Sequence, residues 1–192
     1  SYKLQVTSYK VQVTRYKLQG TRYKDACNAG DLSPITYHLS LITVSNMKVE
    51  DNIQLVRRLY EEGINRHDAA AAAALYADDA KNHGRTVGRA GMQKVFEALF
   101  SVFPDFHYRI EEATAAGDRV VCKVTMTGTH RGQPTLPEVF SGMLKGVAPT
   151  GKRVEVLHFH SFGIRGGQIA EHAAVRDDLG MLIQLGLVGR PE

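Results

Sequence analysis

From Asp51 onward apolar residues recur every three or four positions, and past Pro104 they recur every second position. The first period belongs to a helix with one buried face, the second to a half-buried strand. Ile53, Val56, Leu59, Tyr60 and Ile64 predict a helix from Asn52 to about Arg66, with Asp51 as its N-cap and Gly63 and Asn65 fraying its end. Asp68 caps a second, alanine-rich helix that runs to about Tyr76. Gly88 to Gly91 lead into a third, whose buried stripe is Met92, Val95, Phe96, Leu99 and Phe100, and Pro104 ends it.

Phe106, Tyr108 and Ile110 begin the alternating part, Ala116-Gly117-Asp118 makes a turn, and Arg119 to Thr129 is a β-branched strand. Residues 131–151 hold three of the six prolines and predict a loop, with a short strand around Val139 to Leu144. Lys152 to Ile164 and Gln168 to Arg176 are two further strands, and Asp177 caps a closing helix from Asp178 to about Leu185. Helices first and a meander afterwards predict an α+β architecture, with helices packed on one face of a curved sheet. A curved sheet with so few helices over it leaves a hollow that suits a small molecule.

Composition removes several classes. With 43% hydrophobic and 23% charged residues the chain is neither collagen-like nor disordered throughout, and no apolar run is long enough to cross a membrane. Cys27 and Cys122 show neither metal-ligand nor disulfide-framework spacing, which points to a reducing, cytoplasmic setting. The formal charge of +4 is confined to residues 1–46, so the remaining chain is balanced. That leader opens with the sevenfold repeats SYKLQVT, SYKVQVT, RYKLQGT and RYKDACN. We read it as a repetitive basic leader, non-native (a cloning or upstream-translation extension) or disordered, ahead of a domain spanning 47–192 that starts at Met47. A polyanion-binding tail and an added edge hairpin are the other readings. Nucleic acid is therefore not expected as the domain's partner.

Candidate chemistry lies on the strand from Lys152. Alternation places Val154, Val156, His158, His160 and Phe162 on one face, and Arg153, Glu155, Leu157, Phe159 and Ser161 on the other. Imidazoles among apolar neighbours are either hydrogen-bonded core residues or proton carriers lining a cavity. A two-residue Gly166-Gly167 loop would set His160 opposite Ala173 with Glu171 on the same face. A three-residue loop with a glycine bulge would set it opposite His172. Spacing fixes no third metal ligand, and neither a phosphate loop, a nucleophile elbow nor a dinucleotide fingerprint is present, so no metal or cofactor is expected.

The landmarks in order are Val56-Arg57-Arg58-Leu59-Tyr60-Glu61-Glu62, Leu75-Tyr76-Ala77-Asp78-Asp79, Asn82-His83, Phe103-Pro104-Asp105-Phe106 and Gly128-Thr129-His130-Arg131-Gly132. There follow Ala148-Pro149-Thr150-Gly151-Lys152-Arg153-Val154, Gln168-Ile169-Ala170-Glu171-His172 and Asp177-x-Leu179-Gly180-x-Leu182-x-Gln184-Leu185-Gly186. Over about residues 50–187 this pattern resembles the SnoaL-like polyketide (ester) cyclases of the nuclear transport factor 2-like superfamily. The resemblance implies a cone-shaped, antiparallel or mixed sheet wrapped by about three N-terminal helices and a short C-terminal one. It also implies an enclosed pocket, a homodimer, and no metal or organic cofactor. The implied chemistry is intramolecular aldol ring closure, with an acidic residue moving the proton beside a carbonyl and donors holding the oxyanion. His160 matches the family's pocket histidine. Tyr60, Asn82, His83, Phe106 and Phe162 are the implied substrate contacts.

One departure bears on that chemistry. The family's last strand commonly reads Glu-His-Trp-Asp, with the aspartate as acid-base, whereas this chain reads Glu171-His172-Ala173-Ala174. Ala174 transfers no proton, and Asp177, at another recurrent family position, is accounted for as a helix N-cap. The candidate catalytic residues are then His160, His172 and His158, with Asp177 beside them. A histidine-based cyclase or isomerase predicts a pH-rate profile with an apparent pKa of about 5.5 to 7.5. The alternative is a non-catalytic binder of a bulky apolar or aromatic molecule.

Overall fold

The computed structural model describes residues 48–136 and 139–189. The readings of residues 1–46, Cys27 among them, lie outside the described residues. A helix α1 over 48–58 runs into a π-helical turn, Leu59–Gly63, and a 3-10 turn, Ile64–Arg66. After it come α2 (Ala69–Ala74), β1 (Tyr76–Asn82), β2 (Arg85–Thr86), α3 (Gly88–Val102), β3 (His107–Ala116), β4 (Arg119–Thr129), β5 (Arg153–Arg165), β6 (Gln168–Arg176) and α4 (Asp178–Leu185). The six strands form one mixed sheet in the order β2-β1-β6-β5-β4-β3, in which β1 and β6 are parallel and every other pair is antiparallel. This is the expected α+β arrangement of a curved sheet with helices against it, and the sheet is not closed.

Helix α1 begins earlier than its apolar pattern predicts. Residues 48–50 are already helical, so Asp51 lies inside the helix and does not cap it. Asn52 is buried instead, and its amide donates to the Gly117 carbonyl at 3.0 Å. The expected fraying is also replaced by something more specific. Gly63 lies so close to α2 that a Cβ there would stand 2.6 Å from Ala72 Cα, and Asn65 clamps the backbone of Tyr108, accepting from its N–H and donating to its carbonyl, both at 2.8 Å. The end of α1 is thus fixed to α2 and to β3. The π turn buries the adjacent Leu59 and Tyr60 together.

Asp68 caps α2 as expected, accepting from Ala71 N–H at 2.8 Å, but α2 ends at Ala74 and Tyr76 opens a strand. That strand was not expected, because YADDAKN has no β-branched residue and no alternation of apolar side chains. It exists through its parallel pairing with β6. Around Val139 the expected short strand is a 3-10 turn, Val139–Gly142, in which Phe140 and Ser141 both have left-handed backbones. β4, β6 and α4 have the expected limits, and β5 is shifted by one residue. Asp177 caps α4, accepting from Gly180 N–H at 2.8 Å.

The core lies between α1, α3 and the inner sheet face. Met92, Phe96 and Val102 of α3 meet Tyr60, Tyr76, Phe162 and Ile169 in one buried apolar cluster. The outer face carries Val121, Leu157, Phe159 and Val175, exposed by 37%, 38%, 47% and 76%. Among the described residues no helix is long and apolar enough to cross a membrane.

Candidate functional site

The β5–β6 hairpin turns through Gly166 and Gly167, both with positive φ, which a two-residue loop of mirror-image type requires. Arg165 therefore faces Gln168, as one of the two expected registers has it. Neither expected register survives further along. Ile164 faces Ile169 but Gly163 faces Glu171, so Ala170 is an extra residue on β6. This bulge sets His160 opposite Ala174, Phe162 opposite His172 and His158 opposite Arg176. It also turns Glu171 to the outer face, where its carboxylate meets Arg119 at 3.2 Å.

Four elements then complete one polar row on the inner face. His160 Nδ1 and His172 Nε2 are 3.0 Å apart, and His160 Nε2 and His158 Nδ1 3.4 Å. His158 Nδ1 meets the Tyr108 hydroxyl of β3 at 3.1 Å. At the other end His172 Nδ1 lies 2.8 Å from Asn82 Oδ1, which the parallel β1–β6 pairing brings alongside. An amide oxygen only accepts. With Oδ1 so placed, His172 carries its proton on Nδ1 and accepts at Nε2, so His160 donates from Nδ1 and keeps a lone pair on Nε2. The imidazoles face one another nitrogen to nitrogen, and among the described residues no group of three or more His, Cys, Asp or Glu is arranged to hold a metal ion.

Burial keeps these rings neutral. Desolvation is the main cause and the positive charge of Arg176 adds to it: His158 is pushed down to about 3, His172 is lowered, and His160 is held well below the ordinary imidazole range. Repulsion among the three rings adds to the effect at His160. Cys122, opposite His160 on β4, has its thiol pushed up to about 11 by burial. The Tyr60 hydroxyl is buried, raised far above the usual phenol range by desolvation, and finds no hydrogen-bond partner among the described residues. Leaving such a group unpaired costs about 1–3 kcal/mol.

The row opens on a pocket of about 910 Å³. Leu59, Ile64, Met92, Phe96 and Leu99 form its apolar wall, and Tyr60, Asn82, His83, Phe162, His160, His172 and Ala174 lie on its lining. Of the residues expected at a site, these include Tyr60, Asn82, His83, Phe162, His160 and His172. His158 stands behind His160, joined to it by the hydrogen bond above. Phe106 is not on the lining: it packs in the core 4.8 Å from the Tyr108 ring, centre to centre. Asp177 is occupied with the start of α4. Two site residues escaped the sequence reading, Tyr108 and Arg176. Arg176 has the same strand parity as His172 and Ala174, and that parity was the available signal.

Comparison with known proteins agrees with this fold. The model of the SnoaL-like polyketide cyclase family matches residues 54–185. AclR from Streptomyces galilaeus, described as a proposed hydroxylase, is 25% identical with a TM-score of 0.61, over 73% of this chain and 98% of that one. IdmH from Streptomyces antibioticus, described as a proposed polyketide cyclase, is 28% identical with a TM-score of 0.56, over 70% and 98%. A proposed SnoaL-like polyketide cyclase from Jannaschia sp. CCS1, at 23% identity, shares the fold with a TM-score of 0.62 over 75% and 96%. No curated protein matches the chain in sequence.

Proposed function

The chain belongs to the SnoaL-like polyketide cyclase family, and from that premise we propose that it takes a small, mainly apolar or aromatic molecule into the His160 pocket and moves a proton on it. The observation that carries this reading is the imidazole row anchored by Asn82 and opening on a pocket with an unpaired buried hydroxyl, Tyr60. The reaction class is intramolecular aldol closure or isomerisation. His160 Nε2 is the acceptor, because its 3.4 Å contact to His158 is the longest in the row. A proton leaving the carbon beside a carbonyl goes to His160 Nε2, and the enolate oxygen accepts from the Tyr60 hydroxyl. In ring closure the enolate carbon then bonds to a second carbonyl carbon, and the alkoxide so formed takes the proton back from His160.

The surroundings of these rings bear on the expected pH behaviour. Burial holds His158 down at about 3 and His160 well below the ordinary imidazole value, so His160 gains basicity as negative charge develops beside it. That weakness, with Ala174 at the family's acid position, favours a second reading in which the pocket binds without turnover. An assay of ring closure with an aromatic polyketide ester separates them. Turnover by the wild type that falls at least a hundredfold in His160→Ala, with ligand affinity changed less than threefold, supports catalysis. Binding without turnover, in the wild type and in Ala174→Asp alike, leaves the binding role. A homodimer is part of the proposal, with the outer face of the sheet as its interface.

A further inference from the structure

The charges on the pocket lining are of one sign. Among the described residues that form it the charged side chains are Arg85, Lys145 and Arg176, and no carboxylate is on the lining with them. Arg176 enters from the end of β6, two residues beyond Ala174 on the same face, and its side chain is only 18% exposed. Three contacts aim it. Asp178 accepts from Nε at 3.0 Å and from Nη2 at 3.3 Å, and Ser141 Oγ accepts from Nη2 at 2.9 Å. The guanidinium carbon also stands 5.7 Å from the centre of the Phe140 ring.

Those contacts use two of the three guanidinium nitrogens, and Nη1 has no partner among the described residues. Asp178 offsets part of the charge but does not line the pocket. Lys145 and Arg85 stand exposed at the rim, and neither forms an ion pair among the described residues. Between His172 and Arg176 the inner face carries only the methyl group of Ala174, directly opposite His160. A cation, an open space and a row of imidazoles therefore adjoin one another.

We infer that the pocket takes its ligand as an anion, a carboxylic acid with an apolar or aromatic body, whose carboxylate lies over Ala174 against Arg176. This rests on the pocket reading above and narrows it to a free acid over its ester. A guanidinium fork accommodates a carboxylate, and a charge-assisted hydrogen bond gains strength in a partly dry site. The body fills the wall of Leu59, Met92, Phe96 and Phe162. The carboxylate also supplies the counter-charge that His160 lacks, because negative charge beside an imidazole favours its protonated form. A ligand of this kind thus raises the basicity of the group proposed to act on it.

The test is calorimetric titration of the full chain at pH 7.5 and low salt with anthraquinone-2-carboxylate and with its methyl ester. The acid is expected to bind at least about tenfold more tightly. That margin should shrink to about threefold or less in Arg176→Met while the ester's affinity stays put. Because Arg176 also holds Asp178 and Ser141, Arg176→Met is checked by thermal melting, and the exposed pair Arg85→Gln with Lys145→Gln gives an independent measure. That double variant and a rise to 0.5 M salt should each weaken the acid about two- to fivefold and leave the ester unchanged. An ester that binds as well as the acid, or an acid preference that persists in a folded Arg176→Met, overturns the inference while the pocket reading stands. Binding of neither compound removes the pocket reading and this inference with it.

Discussion

On β5 the even-numbered residues from Val154 to Phe162 are buried and include two imidazoles, whereas the odd-numbered Leu157 and Phe159 are apolar and stand 38% and 47% exposed. Each face holds groups that its surroundings do not suit: polar rings where water is excluded, and apolar ones where water has access. Inside, the mismatch is reduced by hydrogen bonds from Tyr108 through to Asn82, yet neutrality is still imposed on every ring in the row. Outside, nothing in the chain's described residues covers the strip from Val121 to Val175. The inner face is proposed to take an anionic ligand, and the outer face a second copy of the chain. The two faces differ in how they respond to pH, and that difference can be measured.

The largest expected effect is acid destabilisation originating on the inner face. An imidazole whose folded pKa is lowered binds its proton in the unfolded chain first. Stability is therefore complete above the unfolded value of 6.5 and falls as the pH drops toward the folded value, about 3 for His158. Each such ring gives up to about 1.4 kcal/mol per pH unit in that window. His158, His160 and His172 together predict a loss on the order of 3–5 kcal/mol between pH 6.5 and 5, read by urea unfolding at the two pH values. Asp105 and Glu111, whose carboxylates are lowered from ordinary values of 3.8 and 4.5, lose their share only below that window. His83 and His130 are lowered as well, so the inner row is isolated by repeating the series with His160→Phe. The pH-dependent loss should then drop by about a third; an unchanged loss would place its origin elsewhere.

Much of this contrast was legible in the residues themselves. Period-two alternation on β5 separated the two faces correctly, and the caps Asp68 and Asp177 fixed their helices because a cap is a local event. The site was legible only in part, because its joints are not local. Asn82 meets His172 across 90 residues, through a strand whose own sequence has no strand preference. The bulge at Ala170 has no marker such as a glycine at the bulged position, yet it alone decides that His160 faces Ala174 and that Glu171 leaves the pocket. Asn65 reads in sequence as a residue that frays the helix end, while its amide in fact splices α1 to Tyr108.

A smaller effect sharpens the picture at the anchored end of the row. Asn82→Asp replaces a neutral acceptor at 2.8 Å from His172 Nδ1 with a carboxylate. Opposite charge at that distance favours the protonated ring, which moves the folded pKa of His172 upward. Stability at pH 5 should then recover by about 1–2 kcal/mol relative to pH 7.5, since fewer protons are taken up on unfolding. Two-dimensional NMR of the imidazole nitrogens reads the same change directly. The Nδ1–H tautomer expected for His172 in the parent chain gives way to the doubly protonated ring. A parent spectrum with His172 protonated on Nε2 would reverse the polarity assigned to the whole row.

The smallest effect on stability, and the sharpest on assembly, belongs to the outer face. Phe159 points away from the core and is paired laterally with Lys123 and Val175 across the sheet, so Phe159→Lys removes little buried area from a single chain. Surface substitutions of this kind stay within about 0.5 kcal/mol. A charge in the middle of an apolar strip has a different consequence if that strip is covered by a second copy: it must be desolvated, twice over in a two-fold interface. Light scattering of the parent chain should therefore give a dimer mass, and Phe159→Lys should shift it toward the monomer at micromolar concentration with its low-denaturant signal intact. The His160 pocket of that monomer should still titrate with the same ligand, because the two faces share a strand but no side chain. A parent chain that is monomeric, or a Phe159→Lys variant that remains dimeric, would require the exposed strip to meet something other than itself.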